Sequence, residues 1–232
     1  MAAHDAKLAS RGKTTYLVLY NFLSAVAWTT VLGRTIALYT LRGPEFVFLG
    51  TGEWTRWTQT MAILEVLHAV LGTFPFNSVC TQLLTTVCTG VVRAPITTTL
   101  MQVSSRFLLV WFIVYPFPSL AQSPFYSSML LAWSVTEVIR YSYFALALSG
   151  AQPRFLIWLR YNTFFVLYPM GIVSEAALVY MAATGPAAEQ IGDWYAYILY
   201  GILGIYVPGR YFLSWESLQW YLVTMRLMLT MV

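Results

Sequence analysis

Six apolar stretches alternate along the chain with short breaks rich in glycine, proline and charge, and the alternation predicts six helices. The first covers about Tyr16 to Tyr39, punctuated by Gly33-Arg34. The segment LRGPEFVFLGTGEWTRW follows as a loop, because Gly43-Pro44 and Gly50 to Gly52 break its periodicity. A second stretch starts near Thr58 and carries Glu65 and His68. A third runs from about Ile96 to Tyr115, with Arg106 inside it, and ends at PFPSL. The fourth, about Phe125 to Leu148, holds Glu137 and Arg140 three residues apart, hence neighbours on a helix surface. After SGAQPR the fifth extends from about Phe155 to Ala183. After TGPAAEQIGD the sixth covers about Trp194 to Tyr206 and ends at Pro208-Gly209. About 20 apolar residues in a helix cross the hydrocarbon core of a bilayer. The expected fold class is therefore all-α, a polytopic membrane helix bundle of about six transmembrane helices.

Composition agrees with a chain that has lipid for a solvent. Of 232 residues, 59% are hydrophobic and 9% charged, against roughly 25% charged in a soluble domain. Aromatics reach 17%, which suits rings in interfacial belts. The net charge of +4 is small, so nucleic acid is not an expected partner. Six spans put both termini on one side, together with Lys7, Arg11, Lys13, Arg93, Arg154, Arg210 and Arg226; the opposite loops hold Arg42 and Arg56. By the positive-inside rule that side is cytosolic. Residues 1–15 read as a basic cytosolic leader and the first apolar run as a span, since it lacks a small-residue cleavage site. Cys80 and Cys88 offer neither a metal-site spacing nor a disulfide framework.

The chemistry-bearing residues lie inside the apolar stretches. Arg34, Glu65, His68, Arg106, Glu137, Arg140, Arg160, Tyr168 and Glu175 all do so. Charges at membrane depth are costly and usually pair, so Glu137 with Arg140, and Glu65 with some arginine, are expected to lock helix packing. As a set they would also line a polar cavity suited to an anionic or thioester-bearing ligand. Within RFLIWLRYNTFFVLYPMGIVSE, Tyr168 and Glu175 are seven residues apart, which sets them within about 20° of each other and about 10 Å apart along a helix. A phenol and a carboxylate on one face can share proton-transfer work. Pro169 is expected to kink the helix between them, and Gly171 to let a ligand or backbone approach. Glu65 and His68 form a lone E-x-x-H pair, too little for a di-metal site. Cys88 to Arg93 has one residue too few for a phosphatase loop.

With these residues assembled, the chain resembles the very-long-chain (3R)-3-hydroxyacyl-CoA dehydratases, also called the protein-tyrosine-phosphatase-like family. The matching segments are YNFLSAVAW, LEVLHAVLG, TTLMQVSSRFLLVW, WSVTEVIRYSYF, WLRYNTFFVLYPMGIVSE and IYVPG, spread over residues 16–209. The resemblance implies a six-span protein of the endoplasmic reticulum membrane, a hydro-lyase acting in fatty acid elongation without metal or cofactor. It implies Tyr168 and Glu175 as catalytic residues, and Arg106, Arg140, Arg160 and Gly171 as substrate-binding ones. Expected partners are the long-chain 3-hydroxyacyl-CoA substrate, the lipid bilayer, and the condensing and reducing enzymes of the same cycle. Two stretches depart from the family pattern: residues 73–90, an insert that holds both cysteines, and residues 210–232, where a lysine-rich tail is expected. The pattern resumes at Val91, as it would after a retained intron or in a mis-called gene. A non-catalytic scaffold of the elongation enzymes is the main alternative. A transporter is the lesser one, because the halves show no inverted repeat.

Overall fold

A computed structural model describes residues 2–65, 103–151 and 153–204. Among the described residues the protein is all-helical. Helix α1 (Ala2–Arg42) is followed by a 3-10 turn (Pro44–Phe46) and by α2 (Val47–Met61). Then come α3 (Val103–Val114), α4 (Pro124–Leu148), α5 (Arg154–Thr184), the short α6 (Pro186–Ile191), and α7 (residues 193–204). The first, fourth and fifth apolar stretches fall inside α1, α4 and α5. His68, Cys80, Cys88, the insert and the tail lie outside the described residues.

The buried positions of α1 are Leu17, Tyr20, Asn21, Ser24, Ala25, Trp28, Val31 and Thr35, one face of a 3.6-residue period. The opposite face is apolar as well. Asn21 is 1% exposed while its neighbour Phe22 is 57% exposed, and Leu19 and Leu23 are also turned outward. Polar groups inside and apolar ones outside invert the usual arrangement of a globular helix. Over Gly12–Arg42 and Phe165–Thr184 the helices are long and apolar enough to cross a bilayer.

Residues 47–57, expected as part of a loop, are helical and open α2. Only Gly43, at φ +93°, breaks the chain there, ending α1 and leading into the proline-started turn. Gly50 lies within α2 and serves close approach instead: a Cβ added to it would sit 2.3 Å from Leu38 Cδ1 of α1. The Arg34 side chain crosses the same contact, its Nε donating to Gly50 O at 2.7 Å.

Helix α4 is the centre of the assembly, packed against α1 on one side and α5 on the other. It starts at Pro124, whose missing N–H costs nothing in a first helical turn. It buries residues nearly all round, including Tyr126, Met129, Leu130, Ala132 and Trp133. Helix α5 continues through Pro169 without a break. Its C-terminal half buries Gly171, Ser174, Glu175, Leu178, Val179, Ala182 and Ala183 at strict helical spacing, whereas its first half is half-buried or exposed. In α3 the last six residues, Leu109–Val114, form a π-helical turn closed by Tyr115 N donating to Val110 O at 3.0 Å. Trp111 Nε1 ties that turn to Thr60 Oγ1 beside the end of α2, at 3.1 Å.

The contact between α4 and α5 is close because small residues face each other: a Cβ on Gly171 would lie 3.6 Å from Ala132 Cβ. Ala132→Leu is expected to overpack this seam at a cost of about 1–3 kcal/mol. A lower thermal midpoint in detergent checks it, with Ala151→Leu, in an exposed turn, staying at the wild-type value.

Candidate active site

One turn of α4 presents Glu137, Arg140 and Tyr141 to the interior, and two other elements bring charges to meet them. Glu65 arrives from residues 63–65, just beyond α2, and Arg106 from α3. Arg140 Nη1 and Nη2 donate to the two oxygens of Glu65, each at 2.9 Å, a bidentate pair. Its Nε donates to Glu137 Oε2 at 2.6 Å, the pair that the three-residue spacing predicts. Glu137 accepts from Arg106 Nη1 through its other oxygen, and Tyr141 OH donates to Glu65. Glu65, Arg106 and Glu137 are all buried. Two guanidiniums face two carboxylates, so the cluster is neutral in sum. Breaking one partner of such a pair strands a buried charge.

Arg106 also faces the other way. Its guanidinium carbon lies 4.9 Å from the centroid of the Trp133 ring, which sits one turn before Glu137 on α4. The indole Nε1 of Trp133 in turn donates to Glu175 Oε1 of α5 at 2.7 Å. Glu175 is 2% exposed. Beside it Ser174 Oγ meets Ser128 Oγ of α4 at 2.6 Å, a second polar tie across the same seam.

Tyr168, Gly171 and Glu175 follow the i, i+3, i+7 spacing of one helix face. Tyr168 is half-buried, Gly171 and Glu175 buried. Helical side chains lean toward the N-terminus, and Glu175 does so: its Oε1 lies 3.8 Å from where a Cβ of Gly171 would stand. The bare backbone at Gly171 thus separates a carboxylate from a phenol, one able to take a proton and the other to give one. Arg160 lies apart from the ion cluster. It is exposed, with its guanidinium over the rings of Tyr143 and Phe144 at 5.3 and 5.6 Å.

Of the six residues singled out from sequence, Arg106 and Arg140 share the cluster, while Gly171 and Glu175 share the seam behind Trp133. Trp133 itself was not singled out. Its signal was present in part: it stands four residues before Glu137, one helical turn away, and a buried indole N–H needs an acceptor.

Comparison with known proteins gives a consistent result. Residues 83–220 match the family described as protein tyrosine phosphatase-like protein, PTPLA. A probable very-long-chain (3R)-3-hydroxyacyl-CoA dehydratase of Schizosaccharomyces pombe is 39% identical over 201 residues, covering 86% of this chain and 87% of that protein. The very-long-chain (3R)-3-hydroxyacyl-CoA dehydratase PASTICCINO 2 of Arabidopsis thaliana is 34% identical over 211 residues, 85% of this chain and 86% of the relative. The very-long-chain (3R)-3-hydroxyacyl-CoA dehydratase 1 of Canis lupus familiaris is 28% identical over 213 residues, 91% of this chain and 74% of the relative. No solved structure matches. With the family match running over more than half of its length, the chain belongs to the protein tyrosine phosphatase-like family.

Proposed function

We propose that this chain dehydrates (3R)-3-hydroxyacyl-CoA to trans-2-enoyl-CoA, as the hydro-lyase of very-long-chain fatty acid elongation. Its relatives carry that activity in their names. The observation that carries the reading is the face Tyr168–Gly171–Glu175, with the Glu175 carboxylate buried and held by Trp133. Dehydration removes a proton from C2 and a hydroxyl from C3. The C2–H electrons form the new double bond, and the C3–O bond breaks with a proton delivered to the departing oxygen. One base and one acid suffice, the C3–O pair leaves with the oxygen as water with no net oxidation or reduction, and Tyr168 and Glu175 divide the two roles. The C2–C3 bond of the substrate lies over Gly171, between them.

The arginines divide by their company. Arg106 and Arg140 are already met by carboxylates, so we assign them to holding the site in shape. Among the described residues Arg160 makes no ion pair; it is exposed beside the rings of Tyr143 and Phe144, and we assign its guanidinium to the coenzyme A phosphates. The membrane reading is of six spans with both ends cytosolic, in the endoplasmic reticulum. Its support is the apolar outer face of α1, the two helices of spanning length and the family resemblance. The condensing and reducing enzymes of the cycle are the proposed partners, by resemblance.

Three outcomes are expected with detergent-purified protein and a long-chain 3-hydroxyacyl-CoA. Tyr168→Phe and Glu175→Ala each lower enoyl-CoA formation by about 100-fold or more, the usual scale for losing a general acid or base. Wild-type turnover by both would turn the reading toward a scaffold. Gly171→Ala moves stability and activity in opposite directions. The added methyl makes only ordinary contacts, and alanine in a helix interior gains about 0.5–1 kcal/mol over glycine, yet the methyl stands against the Glu175 carboxylate that the reaction uses. The thermal midpoint holds or rises while turnover falls about tenfold or more. Arg160→Gln raises KM for the CoA thioester and leaves the thermal midpoint unchanged. An unaltered KM removes Arg160 from the substrate site.

A further inference from the structure

We infer that Trp133 is a positioning residue for this reaction, its indole N–H fixing the Glu175 carboxylate, and that Arg106 acts on Glu175 through the Trp133 ring rather than by contact with substrate. The inference rests on the dehydratase reading above and extends it to residues behind the reacting groups.

Three observations carry it. The first is the bond itself, 2.7 Å from Trp133 Nε1 to Glu175 Oε1, joining α4 to α5. A glutamate side chain has several rotatable bonds, so its carboxylate stays at one place over Gly171 only if a rigid donor holds it. Trp133 is rigid: it is 2% exposed, has two side-chain torsions, and is packed in the core. The second is Arg106, whose guanidinium lies over the face of that ring. A cation on the π face draws ring electrons toward itself, which makes the in-plane N–H a stronger donor. The third is that Arg106 has no freedom to leave. Glu137 holds it, Arg140 holds Glu137, and Glu65 holds Arg140 on both nitrogens. The ion cluster therefore reaches the carboxylate in two steps, Arg106 to Trp133 and Trp133 to Glu175. Arg106 is buried, with one face on the ring and its Nη1 on Glu137.

The test compares wild type, Trp133→Phe, Trp133→His, Arg106→Gln and the Trp133→Phe/Arg106→Gln double variant. All are purified in detergent, with kcat, KM and thermal midpoint measured on a long-chain 3-hydroxyacyl-CoA. Phenylalanine keeps an aromatic face and loses the N–H; histidine restores a ring N–H. Arg106→Gln leaves Glu137 its bond from Arg140, so the cluster is not emptied. Trp133→Phe is expected to lower kcat about tenfold or more with KM within about twofold, and Trp133→His to recover part of the loss. The double variant is expected to fall little below the worse single one, as residues acting in series do. Wild-type kcat in Trp133→Phe overturns the inference. So does a histidine variant no better than phenylalanine, since ring shape alone then matters. Multiplying losses in the double variant, or an Arg106→Gln that raises only KM, return Arg106 to the substrate. A folded wild type without dehydratase activity defeats the functional reading and this inference together. An active wild type, an inactive Glu175→Ala and a normal Trp133→Phe defeat this inference alone.

Discussion

Four charged side chains share an interior that buries three of them almost completely, and that constraint organises the rest of the molecule. Glu65, Arg106, Glu137 and Arg140 come from three separate stretches of chain, and all four are paired only if all three arrive together. A buried ion pair adds little net stability over a well-packed apolar one, because desolvation offsets most of the attraction. Its consequence here is geometric. Glu137 accepts from two arginines with its two oxygens, so α4 sets the register of α3. The bidentate grip of Arg140 on Glu65 sets the position of the chain leaving α2. A shift of one residue in any of these would strand a charge, and a stranded charge in this interior costs more than a lost apolar contact.

Helix α5 is held differently, and the difference bears on the proposed site. Its C-terminal half lies against α4 through small residues, two serine hydroxyls and the Trp133 bond, while its first half is largely open. Tyr168, Gly171 and Glu175 straddle the boundary. On the proposed reading a thioester approaches from the open side and meets a carboxylate that is already removed from solvent. Gly171 serves the seam: without a side chain it lets Ala132 of α4 and the Glu175 carboxylate come close to its backbone.

The long helices were legible because their apolar runs are long and their ends carry proline or positive-φ glycine, as at Gly43, Pro124 and Pro153. The loop expected over residues 41–57 was misread from Val47 onward for a physical reason. Gly50 looks like a breaker in sequence, yet in a helix pressed against Leu38 a missing Cβ is a fit. Pairing within one turn, Glu137 with Arg140, could be read from spacing. The pairs Glu65–Arg140 and Arg106–Glu137 could be expected in kind but not assigned, because their partners are 75 and 31 residues away. Trp133 was harder still. In a chain with nine tryptophans one more aromatic draws no notice, and its meaning depends on the packing of α4 on α5.

Three arginines of identical chemistry end in two different conditions, and the carboxylates decide which. Arg106 and Arg140 are drawn in by Glu137 and Glu65, and what they can still offer is position. Arg160 rests on the faces of Tyr143 and Phe144. Stacking engages the plane of a guanidinium and leaves its N–H edge outward, the edge that meets phosphate oxygens in pairs. From Arg160 to Gly171 is eleven residues of continuous helix, about 16 Å at roughly 1.5 Å per residue. An extended pantetheine arm covers a comparable distance between the phosphates of coenzyme A and its thioester. On the proposed reading helix α5 would work as a ruler: the cation at its open end would meet the polyanion, and the thioester arm would end beside Gly171 and the buried Glu175 carboxylate.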